Sequence, residues 1–299
     1  MNVFLYITTV LIWGSTWLAI EFQLGEVAVL ASLVYRWTIA AALMWSFCFL
    51  RGLSMKFAAK DHAYIALMAM CVFGFNYLLI YWAQQYLTSA MTSIAFSTMV
   101  LVNIINARIF FSQAVTPLIW LGGLFGVSGI VALFWLDIRS FDLDSASLKG
   151  LGLALLGTLL ASFGNMISIR NSRLNLPIMQ VNAWGMLYGA LLMALVALIL
   201  DVPFTVTTST SYWLSLIYLS VFGSVIAFAC YFALLKRIDP SKASYTSVLF
   251  PVVAVVLSTI FEDFVWTAYT VIGFLLVGLG NLVMLTPPKV FRNLLRKPL

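Results

Sequence analysis

The chain alternates between long apolar stretches and short polar interruptions. Charge, proline and small polar residues delimit ten such stretches, at 3–21, 27–50, 63–86, 89–112 and 116–136, then at 149–170, 177–200, 212–236, 241–262 and 266–286. A helix that crosses a bilayer takes about 20 apolar residues, so each stretch is predicted to be one membrane-crossing α-helix. Only Leu87 and Thr88 separate the third from the fourth, which makes those two helices antiparallel neighbours. The expected fold class is all-α: a polytopic membrane protein of ten transmembrane helices with no soluble domain.

Composition supports the pattern. Hydrophobic residues make up 63% of the chain and charged residues 9%, against roughly 25% charged in a soluble domain. A mean hydropathy of +1.06 describes a molecule whose outside faces hydrocarbon. The first apolar run begins at Val3 with no basic segment before it and no small-residue cleavage site after it, so it is expected to stay as a span. Cys48, Cys71 and Cys230 are scattered within apolar runs and form no CxxC pair. With a single histidine, His62, they cannot supply the usual ligand spacing, and neither a metal nor another cofactor is expected.

Charge sets the orientation. With both termini in the cytoplasm, the inner segments carry Arg51, Lys56, Lys60, Arg108, Arg170, Arg173, Lys236, Arg237, Lys242, Lys289, Arg292, Arg296 and Lys297. Only Arg139 and Lys149 then lie outside, and Arg36 lies within a span. Lys and Arg in short cytoplasmic loops are the main determinant of topology. Most of the acidic residues separate the other way: Glu21, Glu26, Asp137, Asp142, Asp144, Asp201, Glu262 and Asp263 fall outside. The net charge of +6 is therefore a product of topology and no sign of a nucleic-acid partner. The basic tail from Lys289 to Lys297 is expected to rest against anionic lipid headgroups of the surrounding bilayer.

An internal repeat runs through the chain. An offset of 149 to 151 residues places Phe73-Gly74 on Phe222-Gly223, Tyr81-Trp82-Ala83 on Tyr231-Phe232-Ala233, Phe111 on Phe261, and Gly122 to Gly129 on Gly273 to Gly280. Residues 1–148 and 149–299 are the expected halves. Each holds five spans, an odd number, so the second half enters the membrane from the opposite side. Inverted repeats recur in secondary transporters, with the substrate site near the midplane between them.

Short motifs carry a family resemblance over the whole chain. Trp13-Gly14-Ser15-Thr16-Trp17 resembles the opening of the drug/metabolite transporter superfamily, EamA branch. Arg36 with Ala40-Ala41-Ala42 resembles that family's second span. Thr88-Ser89-Ala90 and Pro240-Ser241-Lys242-Ala243 resemble its paired turns before the fourth and ninth spans, and Pro251 and Glu262 match a proline and glutamate of the ninth. In the first half Leu101 and Ser112 stand where a proline and glutamate are expected. The resemblance implies an inner-membrane carrier of metabolites, with ten helices around a central cavity. The aromatic content, 15% of residues, narrows the likeness to bacterial aromatic amino-acid exporters.

Polar side chains at mid-membrane depth are costly unless they pair or line a wet cavity, which makes them candidates for substrate contact. Gly74, Tyr77, Tyr81 and Gln84 recur at helical spacing on the third span, as do Thr92, Phe96, Met99 and Asn103 on the fourth. Their inverted counterparts are Ser224, Phe228 and Tyr231 on the eighth span and Ser244, Ser247 and Pro251 on the ninth. Trp13, Thr16 and Trp17 on the first span and Ser162 and Asn165 on the sixth complete the predicted lining. Hydroxyls, amides and ring faces suit a neutral or zwitterionic small molecule with an apolar part. The plainer reading of Ser, Thr and Asn is interhelical glue, worth about 0.6 kcal/mol per contact. Trp120, Trp213 and Trp266, near span ends, read as interfacial belt residues.

Arg36 is the one ionisable residue well inside a span; outward snorkelling, or pairing with Glu21 or Glu26, is expected there ahead of a substrate carboxylate. No acid lies near a span centre, which favours exchange or export down a gradient over a carboxylate proton relay. No nucleophile–base pair, metal cluster or phosphate-binding glycine loop is present, so an enzyme is not expected. The expected function is secondary transport of small metabolites, most narrowly aromatic or large neutral amino acids, by alternating access. The alternatives are carriage of a drug, nucleoside or nucleotide sugar, or a channel.

Overall fold

The structure is a computed structural model that describes residues 2–112, 114–135, 145–235, 237 and 246–286. Helix accounts for the regular structure, with no strand among the described residues. The helical runs are α1 (Asn2–Glu21), α2 (Val29–Leu50), α3 (Ala59–Gln84), α4 (Ser89–Phe111) and α5 (Pro117–Leu133). They continue with α6 (Ala146–Arg173), α7 (Ile178–Ile199), α8 (Thr210 through Leu235), α9 (Thr246–Phe261) and α10 (Ala268–Leu285). Eight of them are long and apolar enough to cross a membrane; α5 and α9, of 17 and 16 residues, are the shorter apolar pair.

Local chemistry sets the ends. The hydroxyls of Thr88, Ser145, Ser209 and Thr267 accept from backbone N–H groups in the first turns of α4, α6, α8 and α10. Beyond the C-termini of α4, α6, α7 and α9 the chain turns at Ser112, Asn175, Asp201 and Asp263, all with positive φ, a conformation that short polar side chains tolerate. The outer surface is hydrocarbon-like. Leu124, Leu198, Leu214 and Leu275 are each more than 60% exposed, a surface that water would not tolerate across a whole bundle but lipid does.

The packing has a recurring self-matching quality. α2 packs on α7, α4 on α9 and α5 on α10, while α1 packs on α8 and α9, and α6 on α3 and α4. α5 and α10 approach backbone to backbone. A Cβ on Gly122 would come 2.6 Å from the Gly280 carbonyl oxygen, and one on Gly129 would come 2.8 Å from that of Gly273. The two helices therefore run antiparallel in backbone contact, and only glycine fits.

Two helices depart from α geometry, and they do so at corresponding places. Met70–Phe75 of α3 and Tyr218–Ile226 of α8 are π-helical, each wound around a Phe-Gly pair. In α8 the Ala227 N–H reaches back five residues to the Phe222 carbonyl, and the Ser224 hydroxyl donates to the Leu219 carbonyl at 2.9 Å. Wide turns of this kind concentrate at functional sites. α4 has its own interruption at Thr98, between Ser89–Ser97 and Met99–Phe111. Pro251 lies inside α9.

Candidate substrate-binding site

The predicted residues gather into three neighbouring groups. The first lies between α1, α2, α3 and α4. Trp17 meets the edge of Phe96 with ring centroids 5.1 Å apart, and its carbonyl accepts the Gln84 Nε2–H at 3.0 Å. Tyr81 is fully buried; its hydroxyl accepts from Arg36 Nη1 at 3.3 Å and donates to Gln23 Oε1 at 2.8 Å. The Arg36 guanidinium carbon lies 4.6 Å from the Tyr77 ring centroid and 4.8 Å from that of Trp37. Thr92 is buried on the neighbouring face of α4, where its hydroxyl bonds back to the Thr88 carbonyl at 3.0 Å.

The second group joins α1 to α8 and α9 and is mostly aromatic. The Trp13 ring lies 5.1 Å from Phe228, 5.2 Å from Tyr231 and 5.4 Å from Phe250. Its Nε1–H donates to the Gly223 carbonyl at 3.1 Å, inside the π-helical segment of α8. The Thr16 hydroxyl bonds to the Trp13 carbonyl at 2.7 Å, and its methyl fills the space beside Gly223. Ser224 spends its hydroxyl on its own helix. Gly223 links the first two groups, because a Cβ there would lie within 4 Å of both the Thr16 methyl and Arg36 Nη2.

The third group is a polar seam between α4 and α6. The Asn165 Nδ2 donates to Asn103 Oδ1 at 3.3 Å and touches the Met99 sulfur at 3.5 Å. Ser162 is engaged one turn away by Asn106 Nδ2 at 2.9 Å. Ser244 lies outside the described residues, as does the side chain of Ser247.

Arg36 departs from its sequence-based expectation. It neither snorkels nor pairs with Glu21 or Glu26. Its side chain is 1% exposed and no carboxylate lies within 4 Å among the described residues. Glu26 instead accepts from the Thr207 hydroxyl at 2.9 Å. Gln23, Trp37 and Asn106 also belong to these groups, although the sequence reading passed over them. Hydropathy places Gln23 in a connector, yet the chain folds back there and buries it to 1% exposure. The adjacency of Trp37 to Arg36 was the available signal for that side chain.

A groove of about 580 Å³ lies elsewhere, between α1 and α8, lined by Ser15, Leu18, Phe22, Leu214, Tyr218 and Phe222 among others. Leu214 and Phe222 are exposed, so the groove opens on the outer face of the bundle, and its lining is almost wholly apolar. Lipid chains suit it better than a polar metabolite.

Known proteins place this architecture. A crystal structure of a protein 21% identical in sequence superposes with a TM-score of 0.70 over 98% of each chain, a likeness of fold alone. The chain is 29% identical over 290 residues to the uncharacterized inner membrane transporter YedA of Escherichia coli K12, covering 94% of this chain and 91% of that one. It is 24% identical to the uncharacterized transporter YoaV of Bacillus subtilis, over 83% of this chain and 84% of the other. Protein PagO of Salmonella typhimurium is 23% identical over 88% and 84% of the two chains. The EamA-like transporter family matches residues 1–135 and again residues 148–286. Matched once in each half and so over nearly its full length, the chain belongs to the EamA-like transporter family.

Proposed function

We propose that the protein is a secondary transporter of the inner membrane that carries small metabolites, most narrowly aromatic or large neutral amino acids, by alternating access. In this reading ten helices cross the bilayer as two inverted five-helix repeats, residues 1–148 and 149–299, with both termini cytoplasmic. The observation that carries it is the α5–α10 contact. Under the offset of 151, Gly122 corresponds to Gly273 and Gly129 to Gly280. Gly122 faces Gly280 and Gly129 faces Gly273, so the contact is the same seen from either half, and the helices are antiparallel. Such a contact is expected of a two-fold axis between equivalent units, which in this reading lies in the membrane plane. The separate family matches of the two halves and the paired π-helical segments support the same relation.

The amino-acid reading rests on the aromatic group around Trp13 and the Arg36–Tyr77 group beside it. Ring faces suit an apolar side chain, and the amides and hydroxyls suit a zwitterionic head. Purified protein in liposomes tests this. Saturable uptake of L-phenylalanine and L-leucine, accelerated by the same amino acid trapped inside, is the expected result. Linear, unsaturable flux would indicate a channel. No flux of any amino acid, with movement of a nucleoside or a cationic drug, would overturn the substrate class.

A further inference from the structure

Three buried hydrogen-bond donors in the Arg36 group have no partner among the described residues: Arg36 Nε, Trp37 Nε1 and Gln23 Nε2. All three side chains are at most 1% exposed. Arg36 and Trp37 are adjacent in sequence and in contact, and Gln23 joins them through Tyr81. The orientation of Gln23 follows from the network. A guanidinium can only donate, so the Tyr81 hydroxyl accepts from Arg36 and gives its one proton to the Gln23 carbonyl oxygen. The Gln23 amide nitrogen is thereby left as an unused donor.

A guanidinium and an indole N–H accept no hydrogen bond, so what these three side chains lack is an acceptor; the unpartnered acceptors Gln84 Oε1 and Glu21 Oε2 bond to none of them. The group also lacks negative charge. A buried cation without a counter-ion is strongly disfavoured, and the ring faces of Tyr77 and Trp37 compensate only in part. Both rings lie within cation–π distance of the guanidinium, while its Nε–H has no partner among the described residues. The acids at this end of the bundle are committed elsewhere or out of reach. Glu262 binds Ser89, Glu26 binds Thr207, and Glu21 comes no closer than 4 Å to Arg36. A water molecule would satisfy a donor and leave the charge. A carboxylate satisfies both, with up to four acceptor positions and geometry matched to a planar guanidinium.

We infer that Arg36, Trp37 and Gln23 form a carboxylate-binding site, so that the carried substrate bears a carboxylate, which Arg36 neutralises. This rests on the transport reading above and narrows it: amides, amines, nucleosides and cationic drugs lack the group this site requires.

The test uses the full-length protein and four probes that share a phenyl ring: L-phenylalanine, 3-phenylpropionate, L-phenylalaninamide and phenethylamine. Binding is read by calorimetry in detergent and transport by uptake into liposomes. The two carboxylates are expected to bind at least about tenfold more tightly than the amide and the amine. Arg36→Gln should abolish that preference and Arg36→Lys restore part of it. Trp37→Phe keeps the ring, removes one donor and should weaken carboxylate binding a few-fold, which leaves the idea testable if Arg36→Gln does not fold. Equal binding of all four probes, a preference that survives Arg36→Gln, or no carboxylate binding at all would overturn the assignment. The two readings fail separately. Transport without carboxylate preference removes the site and leaves the carrier, whereas carboxylate binding at Arg36 with no transport removes the carrier and leaves the site.

Discussion

Glu262, just past the end of α9, accepts two hydrogen bonds from Ser89, the first residue of α4: one from the backbone N–H at 2.9 Å and one from the hydroxyl. A carboxylate at a helix N-terminus satisfies an orphan donor and faces the positive end of the helix dipole. The pair ties the two halves of the chain together at the end of the bundle that holds Gln84 and Tyr81. Charged hydrogen bonds of this kind contribute about 1.5–3 kcal/mol each. Glu262→Ala is expected to lower the melting temperature of the purified protein clearly, and Ser89→Ala to lower it less, because the backbone N–H remains. Unchanged melting in Glu262→Ala would show that solvent replaces the cap at no cost.

The α5–α10 contact gives a second expectation with an internal control. Gly129→Ala and Gly280→Ala each drive a methyl group into a facing backbone carbonyl, whereas a methyl on Gly278, one turn-face away in the same helix, meets nothing within 4 Å. The first two should lose about 3 kcal/mol or fail to give monodisperse protein. Gly278→Ala should match the parent. If all three behave alike in size-exclusion chromatography and thermal melting, the glycine contact is not what holds these helices.

Tyr77 supplies a ring face to Arg36 and an edge to Trp37, whose centroid lies 4.9 Å away. Tyr77→Ala is expected to reduce affinity for phenylalanine about tenfold while leaving the amount of folded protein near normal, and Tyr77→Phe should keep most of it. Saturation curves in liposomes at matched protein levels decide the matter. Equal curves for parent and Tyr77→Ala would make Tyr77 a packing residue.

Tyr81 and Tyr231 correspond under the offset of 150, and their surroundings differ. Tyr81 is fully buried among Arg36, Gln23 and α2, while Tyr231 is only partly covered, against Trp13. In the alternating-access reading each ring closes the cavity on its own side. Single cysteines at these positions, in a chain lacking Cys48, Cys71 and Cys230, should react with an impermeant thiol reagent in opposite senses when substrate is added from outside or inside. Reactivity at both sites that ignores substrate would remove them as gates.

Topology is checked most directly. A reporter fused after Leu299 should read cytoplasmic, and one placed within 137–148 should read external, given the thirteen inner basic residues against two outer ones. A cytoplasmic reading in the second position would break the inversion.

The helices were legible because hydrophobicity is a property of composition. The stretch 27–50 became Val29–Leu50 and 177–200 became Ile178–Ile199, with shifts of a residue or two. The π-helical turns were not legible: they change the backbone register and leave the composition of α3 and α8 untouched. Nor could periodicity show that Arg36 would lie among rings with no carboxylate within 4 Å among the described residues. A one-helix pattern says which face a residue occupies, and the answer depended on what α1, α3 and α8 brought to that face. Tyr77, Tyr81 and Gln84 are legible as one face because they repeat at helical spacing along α3. Gln23 was missed because a lone amide in a connector repeats nothing.

A π-helical segment carries a residue more than the α-turns it replaces. Were Met70–Phe75 to tighten into α geometry, everything beyond it in α3 would turn by about 100° and shift by about 1.5 Å. The side chains beyond it are Tyr77, Tyr81 and Gln84, and those beyond the corresponding segment of α8 are Phe228 and Tyr231. In each half, then, one change of backbone register would swing a whole set of candidate substrate-contacting groups at once, against the glycine-locked α5 and α10 as a frame.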